Sequence, residues 1–430
     1  MKKRTFLLLS ISVVLLAFAL REWYALASTV VEPARGDVGS YLRYARHLLV
    51  DGVFSQSMDG RAVVPDAFRG PGYPVFLAAI LKLSGEAGWY PAVYQAQAVV
   101  GALTVAGVIA LARQWMPYSL SLLAGLLIAV WPHHIVATNA MLIEVVFGFA
   151  IVASLLLSAL ALSRRSMGLA VAAGAAFGAA YLVNPVIALF PAVLLVVFWR
   201  AGSIKLGAVV LSVSLVAAIG WGVRNAAVDA HGDDRAAINL VQGAWPEYHD
   251  AWEVYAKGYP SPELVKVDAE IALMSRDRDA GIHSIAHRFA SDPLRFAAWY
   301  GLQKPYDLWS WSIRIGWGEI YTLEVVDSPL DGALAGVTAI AWILNPLLFA
   351  LALLGAVISL RGAPASVAGL FFLYITAVHV IFQAEPRYAI AYRPVEMMMA
   401  ASCLSVMLQA YRRWRDRSGA ILLDKHLVHP

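Results

Sequence analysis

The sequence is short of charge. Only 14% of its 430 residues are Asp, Glu, Lys or Arg, against roughly 25% in a soluble domain, which excludes a chain that meets water on all sides. It has one cysteine, Cys403, so a disulfide within the chain is excluded. It has no glycine-rich nucleotide loop and no His/Glu cluster of metal-ligand spacing, so neither a nucleotide nor a metal site is indicated. A sustained repeat of ~20–50 residues is also missing, and no run alternates apolar and polar residues as barrel strands do.

What is present is apolar. Hydrophobic residues make up 60% of the chain and the mean hydropathy is +0.66. Runs of ~20 apolar residues recur, the length that carries a helix across ~30 Å of hydrocarbon. In lipid such runs must be helical, because the backbone has no other way to satisfy its own hydrogen bonds. The spans fall at roughly 5–27, 91–112, 118–132, 141–162, 167–183, 186–200, 206–223, 332–359, 365–383 and 388–410. Met1-Lys2-Lys3-Arg4 and the apolar stretch after it have the look of a signal peptide. Apolar character resumes past Arg21-Glu22 and runs to Val31, which makes a first span the better assignment.

Charge placement then sets orientation. The net charge of +4 and pI near 9.0 do not point to nucleic acid, because the basic residues gather at span ends. Lys2, Lys3, Arg4, Arg113, Arg164, Arg165, Arg200, Lys205 and Arg361 occupy every second connection, with Arg412, Arg413, Arg415 and Arg417 after the last span. By the positive-inside rule both termini are cytoplasmic and the remaining connections lie outside. Two of these are long. Residues 32–90 carry Asp37, Asp51, Asp59 and Asp66 and predict one or two interfacial helices; residues 224–331 predict a helical cap. The expected organisation is a transmembrane module over 1–223, the cap over 224–331, C-terminal spans over 332–411 and a cytoplasmic tail over 412–430.

This topology collects polar groups at one outer rim, among them Asp37, Arg69, His133, His134, Glu144, Asn184, Arg224, Lys304, Arg387 and Tyr388. Ionisable groups kept beside hydrocarbon usually face a cavity. Carboxylates mixed with fixed cations suit a reaction that removes one proton and holds one anion.

The order of motifs along the chain carries a resemblance. Arg21 is followed by Asp37-Val38-Gly39-Ser40-Tyr41, then by Arg69-Gly70-Pro71-Gly72-Tyr73-Pro74. Ile143-Glu144-Val145, Trp221-Gly222-Val223-Arg224-Asn225, Arg387-Tyr388 and Pro394 come later. This series resembles the bacterial GT-C membrane glycosyltransferases, the branch related to protein O-mannosyltransferases and the lipid A aminoarabinose transferase. The resemblance implies an all-α GT-C-type bundle of about ten membrane helices under a helical cap. It also implies a polyprenyl-phosphate-linked sugar as donor, a glycan, lipid or protein as acceptor, and inversion at the anomeric carbon without a required cofactor. Two departures bear on donor and acceptor: Val38 follows Asp37 where protein mannosyltransferases tend to have Asp-Glu, and Asn184-Pro185 stands where relatives often have Arg-Pro.

On this basis Asp37 is expected to be the general base and Glu144 a second carboxylate that orients substrate. Arg387 and Lys304, with Tyr388, are expected to hold the lipid phosphate, since charge gathers on its oxygens as the bond breaks. Arg69, Tyr73, His133, His134, Asn184 and Arg224 complete the expected substrate contacts. A transporter or flippase is the competing class, but it would favour paired halves around a midplane site, and a silent relative of the same fold is the third.

Overall fold

The computed structural model describes residues 1–58, 60–230, 234–311 and 325–426, with side chains up to residue 416. Asp59, the side chain of Arg417 and parts of the expected cap (231–233 and 312–324) and tail (427–430) lie outside the described residues. The chain is built from helices: α1 (Lys3–Ala27), α2 (Asp37–Val50), α3 (Gly72–Ala112), α4 (Tyr118–Val130), α5 (Pro132–Val136), α6 (Glu144–Arg164), α7 (Met167–Val183), α8 (Phe190–Arg200) and α9 (Ile204–Ala227). There follow α10 (Arg235–Gly243), α11 (Tyr248–Ala256), α12 (Pro262–Arg276), α13 (Arg278–Ser291), α14 (Pro293–Ala298), α15 (Lys304–Trp309), α16 (Ala335–Ser359), α17 (Ala365–Ile381), α18 (Pro386–Ala389) and α19 (Arg393–His426).

Five helices, α1, α3, α6, α9 and α16, are long and apolar enough to cross a membrane. Four shorter apolar helices accompany them, α4, α7, α17 and the Pro185–Arg200 stretch that contains α8. Their packing follows their composition. In α1 the buried residues are Ala17, Arg21, Tyr24 and Ala25, one stripe at helical spacing, while Leu8 and Leu15 are 60% exposed on faces suited to lipid. The protein is a multi-pass, membrane-embedded helical bundle.

Several boundaries differ from those expected. The third helix begins at Gly72 rather than 91 and bends at Gly85, whose φ is 70°, so its first part belongs to the long loop and its second is the span. The chain leaves the α4 helix at Trp131 and restarts as the short α5. The last helix begins at Arg393 and runs on through the expected tail to His426. One strand pairing, unannounced by the sequence, joins Thr29–Val30 to Val325–Val326.

Helices α10 to α14 form a small layer of their own around Val241, Val267, Met274 and Ile285. It is pinned at one seam. The Gly243 backbone lies so close to Phe382 that a Cβ there would sit 1.9 Å from the Phe382 carbonyl oxygen, so only glycine fits. Trp299 donates its indole N–H to the Gly243 carbonyl at 3.0 Å, and His249 lies 2.9 Å from the Ala384 carbonyl. The helical layer therefore rests on the loop that leads directly into Arg387.

Candidate active site

A cavity of about 600 Å³ opens at one end of the bundle, between the starts of α2 and α6, the loops after α2 and α7, the α17–α18 loop and α10. Each of its polar groups is placed by a local feature of sequence. Asp37 is the first residue of α2, behind Gly36 at the cap, and its carboxylate pairs with Arg69 and Arg387. Arg69 follows a loop ordered by Asp66, which accepts from the Tyr44 hydroxyl and from the Gln56 and Phe68 amides. The Gly70-Pro71-Gly72 turn then presses on the end of α7. A Cβ at Gly70 would lie 2.4 Å from the Leu182 carbonyl oxygen, and one at Gly72 2.7 Å from the Val183 side chain. That contact brings Arg69 beside Asn184.

The charged centre is a chain of four groups. Arg69 donates to Asp37 Oδ1 at 2.6 Å. Arg387 approaches Asp37 Oδ2 at 3.3 and 3.4 Å through its two terminal nitrogens. The Arg387 Nε lies 3.7 Å from Glu144 Oε1. Glu144 is buried at the start of α6, where the helix dipole favours an acid, and its Oε2 has no hydrogen-bond partner among the described residues. Burial alone would raise the Asp37 carboxyl, but the guanidiniums of Arg69 and Arg387 outweigh it and hold the group below its ordinary range. An acid of that kind stays ionised in the empty site.

Of the residues expected from the sequence, Asp37, Glu144, Arg387, Tyr388, Arg69 and Asn184 all line this cavity. Tyr388 donates to Gln383 Oε1 at 3.3 Å, and Asn184 caps the turn after α7 through the Val186 amide at 3.1 Å. The other five sit elsewhere. Tyr73 is fully buried and donates to Gln97 at 3.0 Å. His133 is buried against Trp311, ring to ring at 4.2 Å, and His134 lies 2.7 Å from the Ile390 carbonyl. Arg224 donates to the Asp66 carbonyl at 2.9 Å and lies over the Trp221 ring.

The expectation for Lys304 needs correction. Its side chain is 0% exposed and lies outside the cavity lining. Its ammonium donates to the Gly243 carbonyl at 2.9 Å and to the Phe382 carbonyl, at the seam where the helical layer meets the Arg387 loop. Two of its three N–H donors are taken by backbone, and the ammonium lies 4.3 Å over the Tyr300 ring.

Several cavity residues have no forerunner in the sequence expectations, two of them polar residues on α10. Arg235 and Asn239 stand one turn apart on α10 and both line the cavity. Arg235 lies 4.7 Å over the Phe68 ring and has no carboxylate partner among the described residues. Among the described residues no group of three or more His, Cys, Asp or Glu could hold a metal ion.

Comparison with known proteins agrees with this architecture. Residues 68–221 match the family model described as dolichyl-phosphate-mannose-protein mannosyltransferase. No curated protein matches the chain. Among solved structures, the oligosaccharyltransferase AglB from Archaeoglobus fulgidus, in complex with an inhibitory peptide and a dolichol-phosphate, aligns with 97% of this chain at TM-score 0.50 and 15% identity. The same archaeon's oligosaccharyltransferase in complex with Zn and sulfate aligns with 98% at TM-score 0.52 and 15% identity. The chain spans about half the length of these proteins, 52% of each. ArnT from Cupriavidus metallidurans, bound to undecaprenyl phosphate, is a looser likeness at TM-score 0.39 and 16% identity, covering 94% of this chain and 78% of that one. The family model bears out the expected resemblance over residues 68–221, and the all-α membrane fold expected from the sequence is the fold of these archaeal oligosaccharyltransferases.

Proposed function

We propose that this chain is an inverting glycosyltransferase that moves a sugar from a polyprenyl-phosphate donor to an acceptor on the extracytoplasmic face of a bacterial inner membrane. Both termini are then cytoplasmic, and the 224–331 segment is the cap above the site. The observation that carries the proposal is the Asp37 carboxylate held between Arg69 and Arg387 in a cavity that Glu144 and Arg235 also line.

The two ion pairs are unequal, and that inequality supplies a mechanism. Charge-assisted N–H to carboxylate bonds run at about 2.7–2.9 Å. The Arg69 contact at 2.6 Å is tight, whereas the Arg387 contacts at 3.3 and 3.4 Å are long. Arg387 is therefore the cation that an incoming lipid phosphate can take from Asp37. Its departure removes one of the two charges that depress the Asp37 carboxyl, so donor binding makes the carboxylate more basic at the moment a base is needed. Asp37 then accepts the acceptor's hydroxyl proton as that oxygen forms its bond to the anomeric carbon. The bond from that carbon to the phosphate oxygen breaks on the opposite face, and its electron pair leaves with the lipid phosphate. Arg387 stabilises the charge gathered there.

Glu144 has one carboxylate oxygen without a partner among the described residues, which suits it to accept from a sugar or acceptor hydroxyl. Arg235 adds a second guanidinium facing the anion. Leu189, 69% exposed beside Val186 and Leu182 in the cavity wall, offers an apolar entry for the first isoprene units. The reading is tested by reconstituting the protein with radiolabelled polyprenyl-phosphate sugars and comparing Asp37→Asn with the parent. Transfer by the parent and none by the variant is expected; unaltered turnover in the variant rules out the assigned base.

A further inference from the structure

A second cavity, of about 510 Å³, lies between the α3–α4 turn and the middle of α19. It is far from Asp37. The Phe6 ring packs on Tyr118 with centroids 4.5 Å apart, which places the starts of α1 and α4 side by side. Arg21, fifteen residues further along α1 or ~22 Å at helical rise, bonds to the Ile128 and Ala129 carbonyls at the far end of α4. The second cavity includes Pro117, Ser119 and Leu120 and so belongs to the end where α1 begins, with the exposed Lys2, Lys3 and Arg4.

Its lining has two guanidiniums, Arg113 and Arg412, and no carboxylate. Arg113 is held in place, lying 4.3 Å over the Tyr118 ring and donating to the Met116 carbonyl. Arg412 is exposed. Gln114, Ser405 and Gln409 supply neutral polar groups between them. The floor is fixed by Trp115, whose indole N–H donates to the Ser402 hydroxyl at 3.1 Å. Flanking Arg412, Tyr411 and Trp414 stand exposed at 57% and 63% with ring centroids 6.0 Å apart. Exposed Tyr and Trp beside a lipid-facing helix mark the headgroup level. Below them Leu408 and Met407 are 46% and 55% exposed, an apolar flank where acyl chains would run.

We infer that this cavity binds the headgroup of an anionic phospholipid, with the phosphate between Arg113 and Arg412. The amides and hydroxyl of Gln114, Gln409 and Ser405 face the glycerol and ester oxygens. Two fixed cations without an acid call for an anion; the continuous apolar flank calls for one that carries a tail. This site is independent of sugar transfer, and its loss leaves the Asp37 cavity intact.

The test uses the full chain in mild detergent and native mass spectrometry with added dioleoyl phosphatidylglycerol or dioleoyl phosphatidylcholine. Phosphatidylglycerol is expected to be retained preferentially. A basic side chain near an anionic headgroup is worth about fivefold in binding, so Arg412→Gln alone should weaken phosphatidylglycerol retention about fivefold. Arg113→Gln with Arg412→Gln should weaken it by roughly 20-fold, with phosphatidylcholine retention unchanged. Because Arg412 is exposed, its single variant tests the site even if the double variant does not fold. Equal retention of the two lipids by the parent overturns the inference, as does phosphatidylglycerol retention that survives Arg412→Gln. Thermal protection by inorganic phosphate equal to that by phosphatidylglycerol would make this a free-anion site and also overturn it. Transfer activity of Arg412→Gln in neutral lipid should match the parent, which separates this result from any failure of the glycosyltransferase reading.

Discussion

Replacing Lys304 by methionine separates a phosphate ligand from a structural staple. The side chains have similar length, so the change removes little more than the amine. In the parent that amine donates to the buried Gly243 carbonyl and to the half-buried Phe382 carbonyl. Gly243 keeps a second donor, the Trp299 indole at 3.0 Å, and Phe382 is the carbonyl that loses a partner. An unsatisfied buried acceptor costs about 1–3 kcal/mol. Against this stands relief of a buried charge, since burial pushes the Lys304 amine down to about 7. The two effects offset, and the melting temperature near neutral pH should move by only a few degrees. Turnover should move more. Phe382 begins the loop that leads into Arg387, and losing about 1–3 kcal/mol of restraint there corresponds to roughly 5- to 150-fold in kcat.

The same substitution has a pH signature. The folded pKa lies near 7 and the unfolded one near about 10.4, so between them the unfolded chain binds the proton that the folded amine has shed. Stability of the parent therefore rises with pH across that window: the penalty for a charged Lys304 is full below about 7 and is relieved toward about 10. Lys304→Met should flatten this rise, read as melting temperature against pH. A variant that keeps the parent's kcat and the parent's pH slope, and only raises KM for the donor, would refute the staple and return Lys304 to the phosphate.

The remaining expectations concern the cavity itself. Arg387→Gln should lower kcat/KM by at least about 100-fold, because the charge-assisted contact to phosphate and the stabilisation of the charge that gathers there are lost together; binding of sugar-free polyprenyl phosphate should weaken in parallel, and unchanged binding would count against the phosphate assignment. Glu144→Gln keeps the shape but replaces an acceptor oxygen by a donor, so KM for the acceptor or sugar should rise by roughly tenfold while polyprenyl phosphate binding holds. The acid limb of the kcat/KM profile should lie below the ordinary aspartate value of about 3.9, because Asp37 in the empty enzyme is held down by its two arginines. Arg69→Gln should move that limb upward.

How much of this was legible without coordinates follows from what kind of information each residue carries. Asp37, Arg69, Glu144 and Arg387 could be grouped because alternate basic connections fix which loops share an end of the bundle, and few ionisable groups stand beside hydrocarbon. That argument uses charge and sidedness alone, and the cavity does unite these four. It fails where charge is not the deciding property. Lys304 is as basic in sequence as Arg387, yet it is occupied by two backbone carbonyls, and a carbonyl has no signature in a sequence. His133 and Tyr73 are buried against Trp311 and Gln97, partners that no spacing rule joins. Arg235 escaped for the opposite reason. It follows Asp234 in a polar stretch where a solvated charge is the common outcome, and Asp234 is in fact engaged elsewhere, capping α10 and pairing with Arg278.

These failures share a cause that bears on the chemistry. The bundle and its loops place the carboxylates together with Arg69 and Arg387, and the separate helical layer adds Arg235 to the same cavity. Gly243 against Phe382, the Lys304 staple and the Arg235–Asn239 face all lie on or against the layer formed by α10 to α14. An anion-binding residue on a layer pinned at one seam makes the two arginines unequal. Arg387 is tied to the bundle through Asp37 and Glu144, whereas Arg235 contacts it through the Phe68 ring. Disrupting the seam should therefore weaken the Arg235 contribution first. Gly243→Ala, which drives a methyl into the Phe382 carbonyl, should mimic Arg235→Gln in donor affinity, and the double variant should be no worse than either alone. Additive losses would show that the cap seam and Arg235 act separately, and the coupling argued here would fall.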